Sequence, residues 1–180
     1  MARITLVTGG SRSGKSDYAE VLASDWPEPR YYLATCPPCQ EDDPEMQARI
    51  AVHQQRRLGQ RWQTVEEPMA IACVLHALPS DASVLIDCLT LWVSNLLYAD
   101  HEGALGEAQM SLLAEEVLSA IMIREGEVVM VSGEVGCGLV PELALARRYR
   151  DLVGRCNQVM AVAADRVAYV VCGIPHIIKG

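Results

Sequence analysis

Residues 4–16 read Ile4-Thr5-Leu6-Val7-Thr8-Gly9-Gly10-Ser11-Arg12-Ser13-Gly14-Lys15-Ser16. An apolar run gives way to a Gly-rich turn and then to helix-forming residues, and Gly9–Ser16 within this unit is a complete Walker A loop. Each part has a physical task. Gly9 and Gly14 let the backbone turn its amides inward, so that consecutive N–H groups cradle phosphate oxygens at a helix N-terminus. The Lys15 ammonium reaches the β and γ phosphates, and the Ser16 hydroxyl is placed to ligate Mg²⁺. The same letters could form an ordinary turn capping a helix. A strand before and a helix after are the context that favours a nucleoside-triphosphate loop.

Outward from this unit the chain alternates. Ile4–Thr8, Tyr31–Thr35, Ser83–Asp87, Val128–Ser132 and Val167–Cys172 are short, continuously apolar runs, as expected of strands covered on both faces of a parallel sheet. Between them lie helical candidates at Lys15–Ser24, Pro44–Arg57, Met69–Leu78, Leu89–Tyr98, Glu107–Glu125 and Leu143–Ala163. The second opens with Asp43 as N-cap and Pro44 at the first helical position. Glu107–Glu125 carries Met110, Leu113, Val117 and Ile121 on one stripe, and Leu143–Ala163 carries Arg147, Arg148, Arg150 and Arg155 on its polar side. The alternation predicts a doubly wound α/β fold, one P-loop nucleotide-binding domain over residues 1–180. No repeat or linker interrupts it, and Asp100–Gly106 reads as a surface loop.

Composition narrows the function classes. At 180 residues, half of them hydrophobic, the chain can bury a core without staples. Its net charge of −8 and lack of a basic block argue against nucleic-acid binding. The longest apolar stretch, Leu89–Ala99, is too short and too polar for a membrane span. No secretory signal is evident, so the expectation is a soluble, cytoplasmic protein. Seven cysteines, an odd number mostly in apolar runs, read as small buried hydrophobes in a reducing compartment. Cys36-Pro37-Pro38-Cys39 has CxxC spacing but neither a helix start nor a second Cys/His pair to make it a redox or metal site.

Three further places carry chemistry. Val84-Leu85-Ile86-Asp87 delivers a carboxylate at a strand end. There it can order Mg²⁺ opposite Ser16 as a Walker B acid, or simply cap the next helix. His53 continues the stripe of Met46 and Ile50, flanked by Arg49 and Arg56. It is either a packed core histidine or a nucleophile that attacks phosphorus, and spacing alone does not decide. Gly133-Glu134-Val135-Gly136-Cys137-Gly138 follows the fourth strand as a turn or as a binding loop. His76, His101 and His176 show no partner spacing.

Several segments together carry a resemblance. They are Leu6–Ser16, Tyr32-Leu33-Ala34-Thr35, Glu45-Met46 with Arg49-Ile50 and His53, and Trp62 through Glu66. To these add Asp87-Cys88-Leu89-Thr90-Leu91-Trp92-Val93-Ser94-Asn95-Leu96-Leu97, Glu134-Val135-Gly136 through Val140-Pro141-Glu142, Arg147-Arg148-Tyr149-Arg150-Asp151, and Asn157-Gln158. They resemble the bifunctional cobinamide kinase / cobinamide-phosphate guanylyltransferases of cobalamin assembly, over nearly the whole chain. The Arg-Ile-x-x-His, Asp-Cys-Leu-Thr and Glu-Val-Gly segments are far more specific than the Walker A loop.

The resemblance implies phosphorylation of adenosylcobinamide with ATP or GTP. It then implies GMP transfer from GTP to adenosylcobinamide phosphate through a guanylylated His53, with Mg²⁺ as the cofactor. It implies nucleotide contacts at Gly9, Gly10, Ser11, Arg12, Ser13, Gly14, Lys15, Ser16, Ala34, Thr35, Cys36, Gln54, Gln55, Arg56, Arg57, Glu66 and Asp87. His53 and Lys15 are then catalytic, and Ser16 and Asp87 ligate the metal. The fold implied is RecA-like with a short antiparallel edge strand, assembled as a homotrimer. Gly133, where relatives commonly carry Asn, and the Cys36/Cys39 pair depart from the family pattern. The rival readings are a kinase of another small molecule, with His53 structural, and a GTP-binding switch. The switch lacks Asn-Lys-x-Asp, and its DxxG matches at Asp100–Gly103 and Asp151–Gly154 follow no strand.

Overall fold

A computed structural model describes residues 2–37, 47–48, 51–52, 55, 57 and 59–180. Its strands are β1 (Ile4–Gly9), β2 (Arg30–Ala34), β3 (Gln63–Glu66), β4 (Ser83–Asp87), β5 (Val128–Val131), β6 (Arg166–Val171) and β7 (Ile174–Lys179). Its labelled helices are α1 (Lys15–Leu22), α2 (Ile71–Ala77), α3 (Leu89–Ala99), α4 (Glu107–Met122) and α5 (Ala144–Ala163). All seven strands form one sheet in the order β3-β2-β4-β5-β1-β6-β7, parallel throughout except for β7. This is the mostly parallel α/β sheet flanked by helices that the sequence leads one to expect.

The side-chain period of two sorts the strands into two cores. Leu6, Val84, Ile86, Val128 and Met130 point to one face, where α2 to α5 cover them with Leu75, Trp92, Met110, Ile121, Leu152 and Met160. Val7, Leu85, Val129, Val131 and Val170 point to the other, against Ala19, Ala23 and Trp26 at and beyond α1. Central strands buried on both sides explain the unbroken apolar runs. Of the Glu107 helix stripe, Met110, Val117 and Ile121 are fully buried, as expected. In the stretch 47–57, residues 47–48, 51–52, 55 and 57 are helical. Asp43, Pro44, Met46, Arg49 and Ile50 lie outside the described residues.

Two strands have no counterpart among the runs read from the sequence. β3 is four residues long and mostly exposed, so it lacks an apolar signature. β7 is exposed at every residue and pairs antiparallel with β6 through the two-residue turn Cys172-Gly173. It is the antiparallel edge strand that the family resemblance implies. Cys172 and Gly173 have φ of 52° and 79°, the left-handed pair that a tight hairpin of this twist demands.

The cysteines correct one expectation. Cys156 is buried, but Cys73, Cys137 and Cys172 are exposed and Cys36 and Cys88 are half-buried. An apolar neighbourhood in sequence did not place them inside, because Cys73 sits on the outward side of α2 and Cys137 and Cys172 sit in turns. Cys73, Cys88, Cys137, Cys156 and Cys172 are free thiols, and Cys39 lies outside the described residues. His76, His101 and His176 are exposed. Asp100–Gly106 is a loop, though an anchored one. Asp100 accepts the Ala104 and Leu105 amides at 2.9 Å each and pairs with Arg148.

Candidate active site

Six parallel strands end on one edge of the sheet, and that edge collects Gly9, Ala34, Glu66, Asp87 and Ser132. Ligands of open α/β sheets bind at this edge. The Gly9–Ser16 loop leaves β1 here and enters α1 at Lys15. Gly14 precedes the helix with φ 92° and ψ 11°, a left-handed conformation that costs other residues about 1–2 kcal/mol. A Cβ at Gly9 would lie 2.5 Å from the Val170 carbonyl oxygen, and one at Gly14 would lie 3.0 Å from the Gly173 Cα. The loop therefore needs glycine at both positions.

The loop is held from two sides. The Gly173 amide, in the β6–β7 turn, donates to the Ser13 carbonyl at 2.8 Å, and the Glu134 amide donates to the Gly9 carbonyl at 2.8 Å. Within the loop the Ser13 amide donates to Gly10 at 3.3 Å, and Lys15 Nζ donates to the Gly10 carbonyl at 3.1 Å. The Lys15 ammonium is thus drawn back across the loop. The Thr8 and Ser13 hydroxyl oxygens are buried without a protein partner.

Asp87 ends β4, and one strand, β5, separates β4 from β1. Asp87 registers with Val131 and Val131 with Val7. The carboxylate thus begins about two strand spacings, or roughly 10 Å, from the Walker A strand. Its Oδ2 accepts the Tyr32 hydroxyl at 2.7 Å. Tyr32 is buried in β2. Burial first, and then the Asp87 charge and hydrogen bond, push its phenol well above the ordinary range, so it stays a donor. The Arg57 guanidinium lies 3.6 Å from the Tyr32 ring centroid, and Trp62 packs edge-on against the same ring.

Behind Asp87 the turn is pinned. Thr35 Oγ1 donates to the Cys88 carbonyl at 2.7 Å and accepts the Cys88 amide at 2.8 Å. Asn95 Nδ2 donates to the Thr35 and Pro68 carbonyls at 2.9 Å each. Burial pushes the Cys88 thiol up to about 11, so it is protonated at neutral pH and unsuited to act as a nucleophile.

These donors suit a magnesium ion. Mg²⁺ is a hard cation that keeps waters and uses one or two carboxylates together with substrate phosphates. A Ser16 hydroxyl at the helix start and an Asp87 carboxylate with one oxygen engaged by Tyr32 match that demand. No group of three His, Cys, Asp or Glu forms an all-protein cage among the described residues.

The loop after β5 is a structured one. Ser132 Oγ donates to Asn157 Oδ1 at 2.5 Å, and Asn157 Nδ2 donates to the Gly133 carbonyl at 3.0 Å. Arg150 donates to the Gly136 and Leu139 carbonyls, and Arg147 to those of Pro141 and Glu142. A Cβ at Gly133 would lie 2.8 Å from Thr90 Cγ2.

Of the residues singled out in the sequence, Gly9–Ser16, Ala34, Thr35, Cys36, Glu66 and Asp87 share this edge, and Arg57 approaches it over Tyr32. Gln55 is helical and exposed. His53, Gln54 and Arg56 lie outside the described residues. Sequence reasoning missed the Tyr32 hydroxyl, Asn95 and Asn157. A tyrosine in an apolar strand run, or an asparagine on an amphipathic helix, carries no signal of its partner far along the chain.

A family model described as cobinamide kinase / cobinamide phosphate guanyltransferase matches residues 5–178. The bifunctional adenosylcobalamin biosynthesis protein CobP of Pseudomonas aeruginosa is 41% identical over 176 residues, spanning 97% of this chain and 96% of its own. The bifunctional adenosylcobalamin biosynthesis proteins CobU of Escherichia coli and Salmonella typhimurium are 41% and 42% identical over 184 and 183 residues. Each alignment spans 97% of this chain and 98% of the relative.

Proposed function

Because the chain belongs to the cobinamide kinase / cobinamide phosphate guanyltransferase family, we propose that its single domain runs both reactions on one corrinoid substrate. In the first, the aminopropanol hydroxyl of adenosylcobinamide attacks the γ-phosphorus of ATP or GTP. The hydroxyl proton is lost and the nucleoside diphosphate leaves. In the second, a His53 ring nitrogen attacks the α-phosphorus of GTP, expelling pyrophosphate and forming a phosphoramidate. A phosphate oxygen of adenosylcobinamide phosphate then attacks that phosphorus, releasing His53 and giving adenosylcobinamide-GDP.

The observation that carries this reading is the Walker A loop, built and braced on the same sheet edge as Asp87. Backbone amides of Gly9–Ser16 bind the phosphates, and Lys15 balances the charge that builds up between the β and γ positions. Ser16 and Asp87 would hold Mg²⁺, which supplies charge neutralisation on the phosphate oxygens. Ala34, Thr35, Cys36, Gln54, Gln55, Arg56, Arg57 and Glu66 complete the nucleotide surface. Arg57 supports this assignment, because its packing over Tyr32 ties the end of the 47–57 stretch to Asp87. No helix is long and apolar enough to cross a membrane among the described residues. We assign the enzyme to the cytoplasm as a homotrimer that uses no nucleic acid.

The test is incubation with α-³²P-GTP and Mg²⁺, followed by peptide mapping. Acid-labile, alkali-stable label on His53 is expected. His53→Asn should lose that label while keeping much of its kinase activity, since γ-transfer does not use the imidazole. A protein that phosphorylates substrate but retains no label would be a plain P-loop kinase. Label on another residue would remove His53 from the mechanism.

A further inference from the structure

We infer that Tyr32 is the positioning residue of the metal site: its hydroxyl fixes one oxygen of Asp87 and leaves the other aimed at the cation. The inference rests on the reading of Asp87 as the Mg²⁺ ligand and goes beyond it. A strand-end aspartate on its own can rotate about its side-chain torsions. Here the Tyr32 hydroxyl donates to Oδ2 at 2.7 Å, across strands that pair Tyr32 with Leu85 and Ala34 with Asp87.

The tyrosine is itself locked. It is 3% exposed, packed edge-on against Trp62 at 6.1 Å between centroids and covered by the Arg57 guanidinium. Its hydroxyl faces the carboxylate as the donor. A partner that orients a ligand from outside the coordination sphere typically contributes about 10–100-fold in metal affinity or activity. Losing the hydrogen bond also leaves that carboxylate oxygen free to meet a cation. Orientation outweighs this where a single carboxylate contributes to the site, since a misdirected oxygen contributes nothing.

Tyr32→Phe removes the hydroxyl and keeps the ring against Trp62 and Arg57. GTP affinity is measured by titration calorimetry in EDTA and across a Mg²⁺ series for wild type, Tyr32→Phe, Asp87→Asn and the double variant. Tyr32→Phe should raise the Mg²⁺ needed for half-maximal tightening of GTP by about tenfold and leave metal-free affinity unchanged. Asp87→Asn should lose the response to Mg²⁺, and adding Tyr32→Phe should cost nothing more. Wild-type Mg²⁺ dependence in Tyr32→Phe, beside a lost response in Asp87→Asn, would overturn the role of Tyr32 alone. Equal weakening with and without Mg²⁺ would do the same, marking a merely structural residue. An unchanged response in Asp87→Asn would overturn the reading of Asp87 and the inference with it.

Discussion

Gly14→Ala probes whether the phosphate loop is as tightly built as its contacts indicate. Gly14 sits at φ 92°, where a side chain costs about 1–2 kcal/mol. The new methyl would stand 3.0 Å from the Gly173 Cα, which is backbone and cannot rotate away. Moving the β6–β7 turn aside would sacrifice the 2.8 Å bond from the Gly173 amide to Ser13, about 1 kcal/mol more. The sum is a loss of about 2–3 kcal/mol. For a chain of this size that is a fall of roughly 4–12 °C in the unfolding midpoint. The cost has one alternative outlet. If the loop gives way instead of the turn, stability is spared but the amides no longer converge and GTP affinity collapses. Calorimetric unfolding with and without GTP and Mg²⁺ reads both outlets. A midpoint within about one degree of wild type, together with unaltered GTP affinity, would refute the reasoning, because neither the fold nor the cradle would have registered the methyl.

Other outcomes follow from single contacts. Lys15→Ala should lower kinase turnover more than tenfold, by roughly 1.4 kcal/mol or more in the barrier. Unfolding stability should stay within about 1 kcal/mol, as the half-exposed side chain makes one hydrogen bond. Asn157→Ala strands the Ser132 hydroxyl, which is 1% exposed, and should cost about 1–3 kcal/mol in urea unfolding. The Leu105 amide, aided by Arg148 and the Ala104 amide, holds the Asp100 carboxyl below its ordinary value. A depressed folded value means that its stabilisation is whole above the unfolded pKa of about 4 and is lost as pH falls through the lower folded one. Asp100→Asn should therefore flatten that part of the acid limb in unfolding midpoints measured against pH.

What could be read from the sequence was what short-range physics decides. The Walker A loop, the strand that ends at Asp87 and the stripe of the Glu107 helix follow from local spacing, and they stand where spacing put them. The elements that escaped owe their form to neighbours. β3 exists because β2 offers its edge. β7 exists because a Cys172-Gly173 turn folds it back on β6. Arg147 and Arg150 look like solvated charges on a helix, yet both spend their donors on the carbonyls of the loop after β5. Cys73 and Cys172 sit among apolar letters but face out, since burial depends on which side of an element is covered. Tyr32 looks like core in an apolar run, and its hydroxyl gains meaning only once β4 lies beside β2.

The two chemistries we propose would need different freedoms from the nucleotide-binding residues. The Walker A loop is fastened at Ser13 by the β6–β7 turn and at Gly9 by the loop after β5, so the phosphates meet a fixed cradle. Preorganised donors of this kind lower a phosphoryl-transfer barrier because they need not move as charge develops. Attack at the α-phosphorus would need instead a nucleophile brought in from the side, and His53, the nucleophile we propose, lies in sequence between β2 and β3. Arg57, four residues on in sequence, rests on Tyr32, and Tyr32 holds Asp87. Among the described residues, Arg57 thus joins the connection between β2 and β3 to the strand that carries Tyr32. A change in the loop should damage both reactions, whereas a change in the connection should damage GMP transfer first.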